Sequence, residues 1–177
     1  MKRYILTGAP GAGKTVLLRA LERAGLAVVE EAATDVIALA QAEGVAESWT
    51  DPGFIDAIVT LQKQRQARAV GKSVIFDRSP VCTLALARFL GHPVSPLLAA
   101  ELARVTTEGV YQQQVFLVRS LGFITPTAAR RISLADALAF ERVHEQAYAE
   151  LGYELAPVEP GPVADRAAAV LARITEA

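Results

Sequence analysis

Short apolar runs alternate along this chain with longer stretches in which apolar residues return every three or four positions, and the change of period divides it into elements. Residues 3–7 read as a first strand and 14–24 as a helix with Leu17, Leu21 and Ala24 on one face, stopped by Gly25. Ala27-Val28-Val29-Glu30 is short and apolar enough for a buried parallel strand. A helix from Thr34 to about Glu43 follows, then a loop from Gly44 to Thr50 that holds the only tryptophan, Trp49. Asp51-Pro52 offers a cap and a first-turn proline for a helix to about Val70, apolar in its first half and polar and basic in its second. Ser73–Asp77 is the third strand; Ser79-Pro80 starts a helix that Gly91 ends, and Ser95-Pro96 starts the next. Val115–Val118 is the fourth strand, and the chain then loses periodicity through residues 120–132. Ser133-Leu134-Ala135-Asp136 has the form of a capping box and opens a helix that aligns Ala137, Phe140, His144, Ala147, Tyr148 and Leu151. Tyr153–Ala156 is a fifth strand, and Pro162 opens a last helix to about Ile174. Five runs interleaved with helices predict an α/β fold with a parallel sheet covered on both faces, one domain over residues 1–177.

The turn between the first strand and the first helix carries the strongest chemical signal. Gly8-Ala9-Pro10-Gly11-Ala12-Gly13-Lys14-Thr15 matches G-x-x-x-x-G-K-[ST] in the strand–turn–helix context that this pattern requires. Its glycines let successive N–H groups turn inward, and together with the positive end of the helix that Val16 continues they form a nest for nucleotide phosphates. Lys14 is placed to reach the β- and γ-phosphates and the Thr15 hydroxyl to ligate Mg²⁺. The motif predicts a P-loop NTPase fold that binds a nucleoside triphosphate with Mg²⁺, ATP or, as the lesser choice, GTP.

The composition narrows the field further. At 177 residues the chain suits one domain with a sizeable core, and 18 basic against 19 acidic side chains give no footprint of a nucleic-acid binder. A single cysteine, Cys82, excludes an internal disulfide framework and agrees with the cytoplasm. The apolar run after Lys2-Arg3 is too short for a signal peptide, and no run is long enough to span a membrane.

Other candidate residues fall where open α/β sheets keep their chemistry, at the carboxyl ends of strands. Asp77 ends the third strand as a Walker B acid would, a Mg²⁺ ligand directly or through water, and Arg78 beside it suits a transition-state role. Glu30 and Glu31 end the second strand. Alternation along a strand sends only one of them to the cleft, where a carboxylate can orient an acceptor hydroxyl, and Glu31 is favoured. Arg130 and Arg131 lie in the aperiodic segment, which reads as a lid that closes on the transferring phosphoryl group or, alternatively, as an exposed loop. Gln62, Lys63 and Arg65 read as a solvated basic face rather than acceptor contacts, and His144 as a packed, hydrogen-bonded residue. The Ala- and Leu-rich helices between Pro80 and Gly109 offer a homodimer face.

Taken together, the Gly8–Thr15 loop, Val29-Glu30-Glu31, Phe76-Asp77-Arg78-Ser79 and the tail from Glu145 to Tyr153 resemble the P-loop kinase group that includes nucleoside and nucleoside-monophosphate kinases. More narrowly, the order is similar to small bacterial AAA-type ATPases related to nicotinamide-riboside kinase domains. In nucleoside kinases an acid ends the second strand and an acid-Arg-Ser triplet the third. The resemblance therefore implies acceptor activation by Glu31, phosphate or Mg²⁺ contact by Asp77 and Arg78, and lid function for Arg130 and Arg131. One adjacent arginine pair stands where a longer basic array is usual. The implied activity is transfer of the γ-phosphoryl group of ATP to a small, nucleoside-like acceptor. The rival is a nucleotide-dependent switch with no acceptor, and no [NT]KxD-like guanine-reading stretch follows the fourth strand to support a GTPase.

Overall fold

The computed structural model describes residues 1–123 and 132–176, and the lid assigned to residues 120–132, with Arg130 and Arg131, falls largely outside them. Five strands, β1 (Lys2–Thr7), β2 (Ala27–Val29), β3 (Ser73–Asp77), β4 (Gln114–Val118) and β5 (Glu154–Val158), form one parallel sheet in the order β2-β3-β1-β4-β5. Pro157 is tolerated because β5 is an edge strand, where a missing N–H leaves no ladder bond unmade.

The period-2 geometry of the strands sorts the core into two layers. Ile5, Val74, Phe76 and Val115 point to one face, against α2 (Ala32–Ala42), α3 (Gly53–Arg68), α4 (Pro80–Leu90), α5 (Pro96–Thr107) and α6 (Leu134–Glu150). Tyr4, Leu6, Ile75, Phe116 and Val118 point to the other, against α1 (Lys14–Arg23) and α7 (Val163–Glu176). Both faces are therefore buried, which is why each strand reads as a nearly unbroken apolar run.

The capping signals act as their chemistry dictates. Ser79 Oγ accepts from the Val81 N–H at 3.2 Å, Ser95 Oγ from Leu98 N–H at 3.0 Å and Ser133 Oγ from Asp136 N–H at 3.1 Å. At Asp51-Pro52 the helix starts one residue later than expected: Pro52 takes the N-cap position, and Asp51 Oδ1, one residue before it, accepts from Gly53 N–H at 2.8 Å. Two further expectations fail. β2 stops at Val29, not Glu30, and α2 begins at Ala32 rather than Thr34, so the acid pair forms the corner between strand and helix. The α4 half of the expected dimer face is spent in the core: Pro80 through Ala85, and Ala87, are all buried, because this largely apolar helix sits between α3, α5 and α6. No helix among the described residues is long and apolar enough to cross a membrane.

Candidate functional site

The chain leaves β1 through Gly8 at φ 133°, and a Cβ there would lie 2.3 Å from the Val118 carbonyl oxygen of β4, so only glycine fits. Gly13, at φ 80°, takes the N-cap position of α1 in the left-handed conformation and offers no side chain to cap the first-turn N–H groups. Those donors stay free for an anion. Lys14 is buried and folds back, its Nζ donating to the carbonyls of Gly8 and Ala9 at 2.9 Å each. Burial, helped by the nearby Arg78 charge and opposed by Asp77 and Glu31, pushes this ammonium down to about 8. A cation so placed gains from a polyanion entering the loop.

Register brings the acids to the same place. Leu6 of β1 pairs with Asp77 of β3, so Asp77 emerges beside the root of the glycine loop. Its carboxylate is buried, and Oδ1 has no hydrogen-bond partner among the described residues. Burial drives its pKa up, with Lys14 opposing and Glu31 adding to the rise. Arg78 follows at φ 77°, a left-handed conformation that strains a residue with a Cβ by roughly 1–2 kcal/mol. Its N–H still donates to the Leu6 carbonyl at 3.0 Å, which turns the side chain off the sheet and into the cleft. There Nε donates to the Glu31 carboxylate, and Nη1 lies 2.9 Å from His144 Nε2.

His144 fixes the far side of that guanidinium. Its Nδ1 lies 2.9 Å from the Phe140 carbonyl and must donate to it, leaving Nε2 as the acceptor for Arg78. Burial, then the Arg78 charge, push its pKa down to about 3 from the ordinary 6.5, so the ring is neutral. The unfolded chain binds a proton at this residue that the native state refuses between those two values. Stability is therefore present above pH 6.5 and lost as pH falls toward 3, at about 1.4 kcal/mol per pH unit. Between pH 6.5 and 5, before carboxylates titrate, His144→Gln should flatten the fall of Tm with pH; an unchanged slope would mean another group supplies it.

Glu31 and Glu30 part company at the corner. Glu31 occupies the N-cap position of α2, where its carboxylate meets Arg78 and accepts from Thr34 Oγ1 at 3.0 Å, while exposed Glu30 pairs with Arg19. The separation arises from the start of α2, because neither residue lies in the strand whose alternation predicted it. Burial raises the Glu31 pKa, and Arg78, Lys14 and the two hydrogen bonds outweigh it to hold the group at about 2. The corner itself is tied by Arg65 of α3, whose Nη1 donates to the carbonyls of Glu30 and Glu31 at 3.0 Å each and whose Nη2 pairs with Asp35. The solvated-face reading of Arg65 is thereby corrected.

A cavity of about 600 Å³ opens from this polar cluster. Pro10, Thr15, Glu31 and Arg78 line it together with Ile37, Trp49, Phe54, Phe89 and Phe140. Gln62 is on its wall, its Oε1 accepting from Thr83 Oγ1 at 3.0 Å, and so belongs to the cavity rather than to a solvated face. Lys63 points the other way, 3.7 Å from Glu101. Beneath lies a buried hydroxyl–thiol chain: Tyr148 Oη is 2.8 Å from Ser79 Oγ and 3.0 Å from Cys82 Sγ, and Thr7 Oγ1 is 3.2 Å from the same sulfur. The sequence carries no local signal for Arg166 at the loop or for the bonds of Arg65 and His144 to the Glu31 corner and Arg78, since each depends on which helix the fold sets there.

A parallel sheet in the order β2-β3-β1-β4-β5, with a glycine-rich loop after its central strand and an acid at the end of the strand beside it, defines a P-loop α/β fold. The chain belongs to the AAA domain family, whose model matches residues 3–166. Among solved structures it is similar to the NadR protein in complex with NR, with a TM-score of 0.73 and 19% identity over 99% of this chain and 49% of that one. NadR in complex with NAD and AMP-PNP gives 0.69 and 17%, over 97% and 48%. Deoxyadenosine kinase from M. mycoides, with the products dCMP and a flexible dCDP, gives 0.63 and 12%, over 98% of each chain. The chain spans about half the length of the NadR structures. No curated protein sequence matches it significantly. At these identities the likeness shows the fold, a P-loop kinase-like one.

Proposed function

We propose that the protein is an ATP-dependent small-molecule kinase that transfers the γ-phosphoryl group to a hydroxyl of a nucleoside-like acceptor. The observation that carries this reading is the continuity of the cavity: Pro10 and Thr15 of the glycine loop and Glu31 line the same 600 Å³ space as four aromatic side chains. A switch that only hydrolyses nucleotide has no use for an apolar, aromatic-walled chamber that the loop also lines, whereas a kinase needs one for its acceptor. The similar structures hold nucleotides, AMP-PNP and NAD in NadR and the products dCMP and dCDP in the deoxyadenosine kinase, which supports a nucleotide-binding reading of the loop.

In this reading residues 8–16 cradle the triphosphate, with Lys14 leaving the Gly8 and Ala9 carbonyls for phosphate oxygens, and Arg130 and Arg131 close over it. The bond from the γ-phosphorus to the β,γ-bridging oxygen breaks, a bond from that phosphorus to the acceptor oxygen forms, ADP leaves, and the hydroxyl proton passes to solvent. A carboxylate held at about 2 is a poor proton acceptor, so Glu31 serves mainly to aim the hydroxyl in line. Arg78, oriented by Glu31 and His144, faces the charge that develops on the transferring group.

The residues present fit Mg²⁺. The ion takes one or two protein ligands and fills its remaining positions with phosphate oxygens and water. The Thr15 hydroxyl and the unpartnered Asp77 Oδ1 supply such a pair beside the phosphates, where the ion neutralises charge on the β- and γ-oxygens when bound. Asp77→Asn should lower Mg²⁺-dependent turnover at least about 10²-fold while Mg²⁺-free nucleotide affinity changes little; equal losses in both would make Asp77 structural. The kinase reading itself is tested by ATP consumption with and without a panel of nucleosides, nucleotides and vitamins. Strong stimulation by one class supports it, and a slow rate indifferent to every acceptor means a switch or binder.

A further inference from the structure

The last helix contributes a cation to the glycine loop that the kinase reading does not use. α7 is anchored on α1 by Ala167 and Val170, which pack in the same cluster as Leu17, Leu18 and Leu21. One residue before that anchor, Arg166 turns to the loop. It is 6% exposed, its Nη2 donates to the Ala12 carbonyl at 2.9 Å, and its Nη1 lies 3.0 Å from where a Cβ on Gly13 would stand. Its Nε is buried with no hydrogen-bond partner, and it forms no ion pair among the described residues. The segment 124–131, Ile-Thr-Pro-Thr-Ala-Ala-Arg-Arg, contains no carboxylate that could supply one.

A guanidinium taken out of water without a counter-ion is unfavourable in the free protein, and burial lowers its pKa accordingly. Natural sequences rarely keep such a charge unless a ligand balances it. The nearest place for an anion is the loop whose Ala12 and Gly13 it touches, and Gly13 leads directly into the free N–H groups at the start of α1. We propose that Arg166 is a nucleotide-positioning residue: it clamps the glycine loop from the α7 side through Ala12, and the charge it buries unpaired is balanced by the phosphates of the bound nucleotide. The proposal rests on the nucleotide-binding reading of the loop. A methyl group at Gly13 would displace the clamp by a few tenths of an ångström, in addition to the strain of the left-handed φ 80°.

The test compares Arg166→Met, Arg166→Lys and Lys14→Ala with the wild-type protein, measuring ATP affinity by calorimetry and the Tm of the nucleotide-free protein. Arg166→Met is expected to bind ATP about 10- to 100-fold more weakly, the range a charge-assisted contact carries. Its nucleotide-free Tm should be unchanged or higher, because a desolvated charge has been removed. Arg166→Lys should recover part of the affinity. A merely structural arginine gives the opposite pattern, and wild-type affinity with a lowered Tm, or a Met variant that fails to fold, overturns the proposal. Loss of ATP affinity in Lys14→Ala with none in Arg166→Met rejects the clamp and keeps the loop. Were the wild-type protein to bind no ATP, the nucleotide reading would fail, and the Tm comparison would still decide whether the buried charge is unfavourable in the free protein.

Discussion

Lys14→Ala should lose ATP binding or turnover by about 10²–10³-fold, the magnitude that follows removal of a preorganised charge from a phosphate site, while the protein stays folded. The two halves of that expectation have separate causes. Lys14 is buried but belongs to neither apolar cluster; its hydrogen bonds go to two loop carbonyls that water can take over. Burial also disfavours its ammonium in the free protein, so deletion should change stability by no more than about 1 kcal/mol. With nucleotide present the balance reverses, because the same ammonium meets several phosphate oxygens in a site from which water is excluded. Calorimetric titration with ATP and a melting curve on the same sample separate the two effects. Wild-type affinity in the variant would remove the phosphate-loop assignment.

Glu31→Gln should slow phosphoryl transfer to the acceptor by about 10²-fold or more while ATP affinity barely changes. The lower end of the range for a positioned acid–base group applies, because a carboxyl at about 2 orients a hydroxyl far better than it takes a proton from one. The substitution also leaves the Arg78 guanidinium without its carboxylate, so part of the loss reflects a guanidinium held only by His144. Glu30→Gln is the internal control: that side chain is exposed, engaged with Arg19, and turned away from the cavity. Single-turnover transfer measured on both variants distinguishes them. Damage in Glu30→Gln and none in Glu31→Gln would exchange their roles.

The sequence showed the strands and the loop because both are encoded locally. Five apolar runs bounded by capping residues needed no knowledge of neighbours, and Ser79, Ser95 and Ser133 act as caps through bonds spanning two or three residues. The exit of Asp77 beside the glycine loop followed from an acid at the end of a buried strand. What stayed hidden was set by contacts across long stretches of chain. Arg65 reaches the Glu30–Glu31 corner over 34 and 35 positions, His144 reaches Arg78 over 66, and Arg166 reaches Ala12 over 154. The bare pattern of α3 marks its second half as polar, and only the packing of α3 against α2 and α4 makes Gln62 and Arg65 inward residues. His144 was read as a packed residue and it is one, fully buried against Phe140; its second nitrogen is the part that no helical period reveals.

The central claim, that phosphoryl transfer ends on an acceptor held in the aromatic cavity, is tested most directly by following the label from ATP carrying a radioactive γ-phosphate through one turnover. In the presence of a nucleoside-like acceptor, the label should appear in the phosphorylated acceptor faster than in inorganic phosphate, and Glu31→Gln should suppress that transfer while binding the same ATP. Label released only as inorganic phosphate, at a rate the same with and without any acceptor, would contradict it.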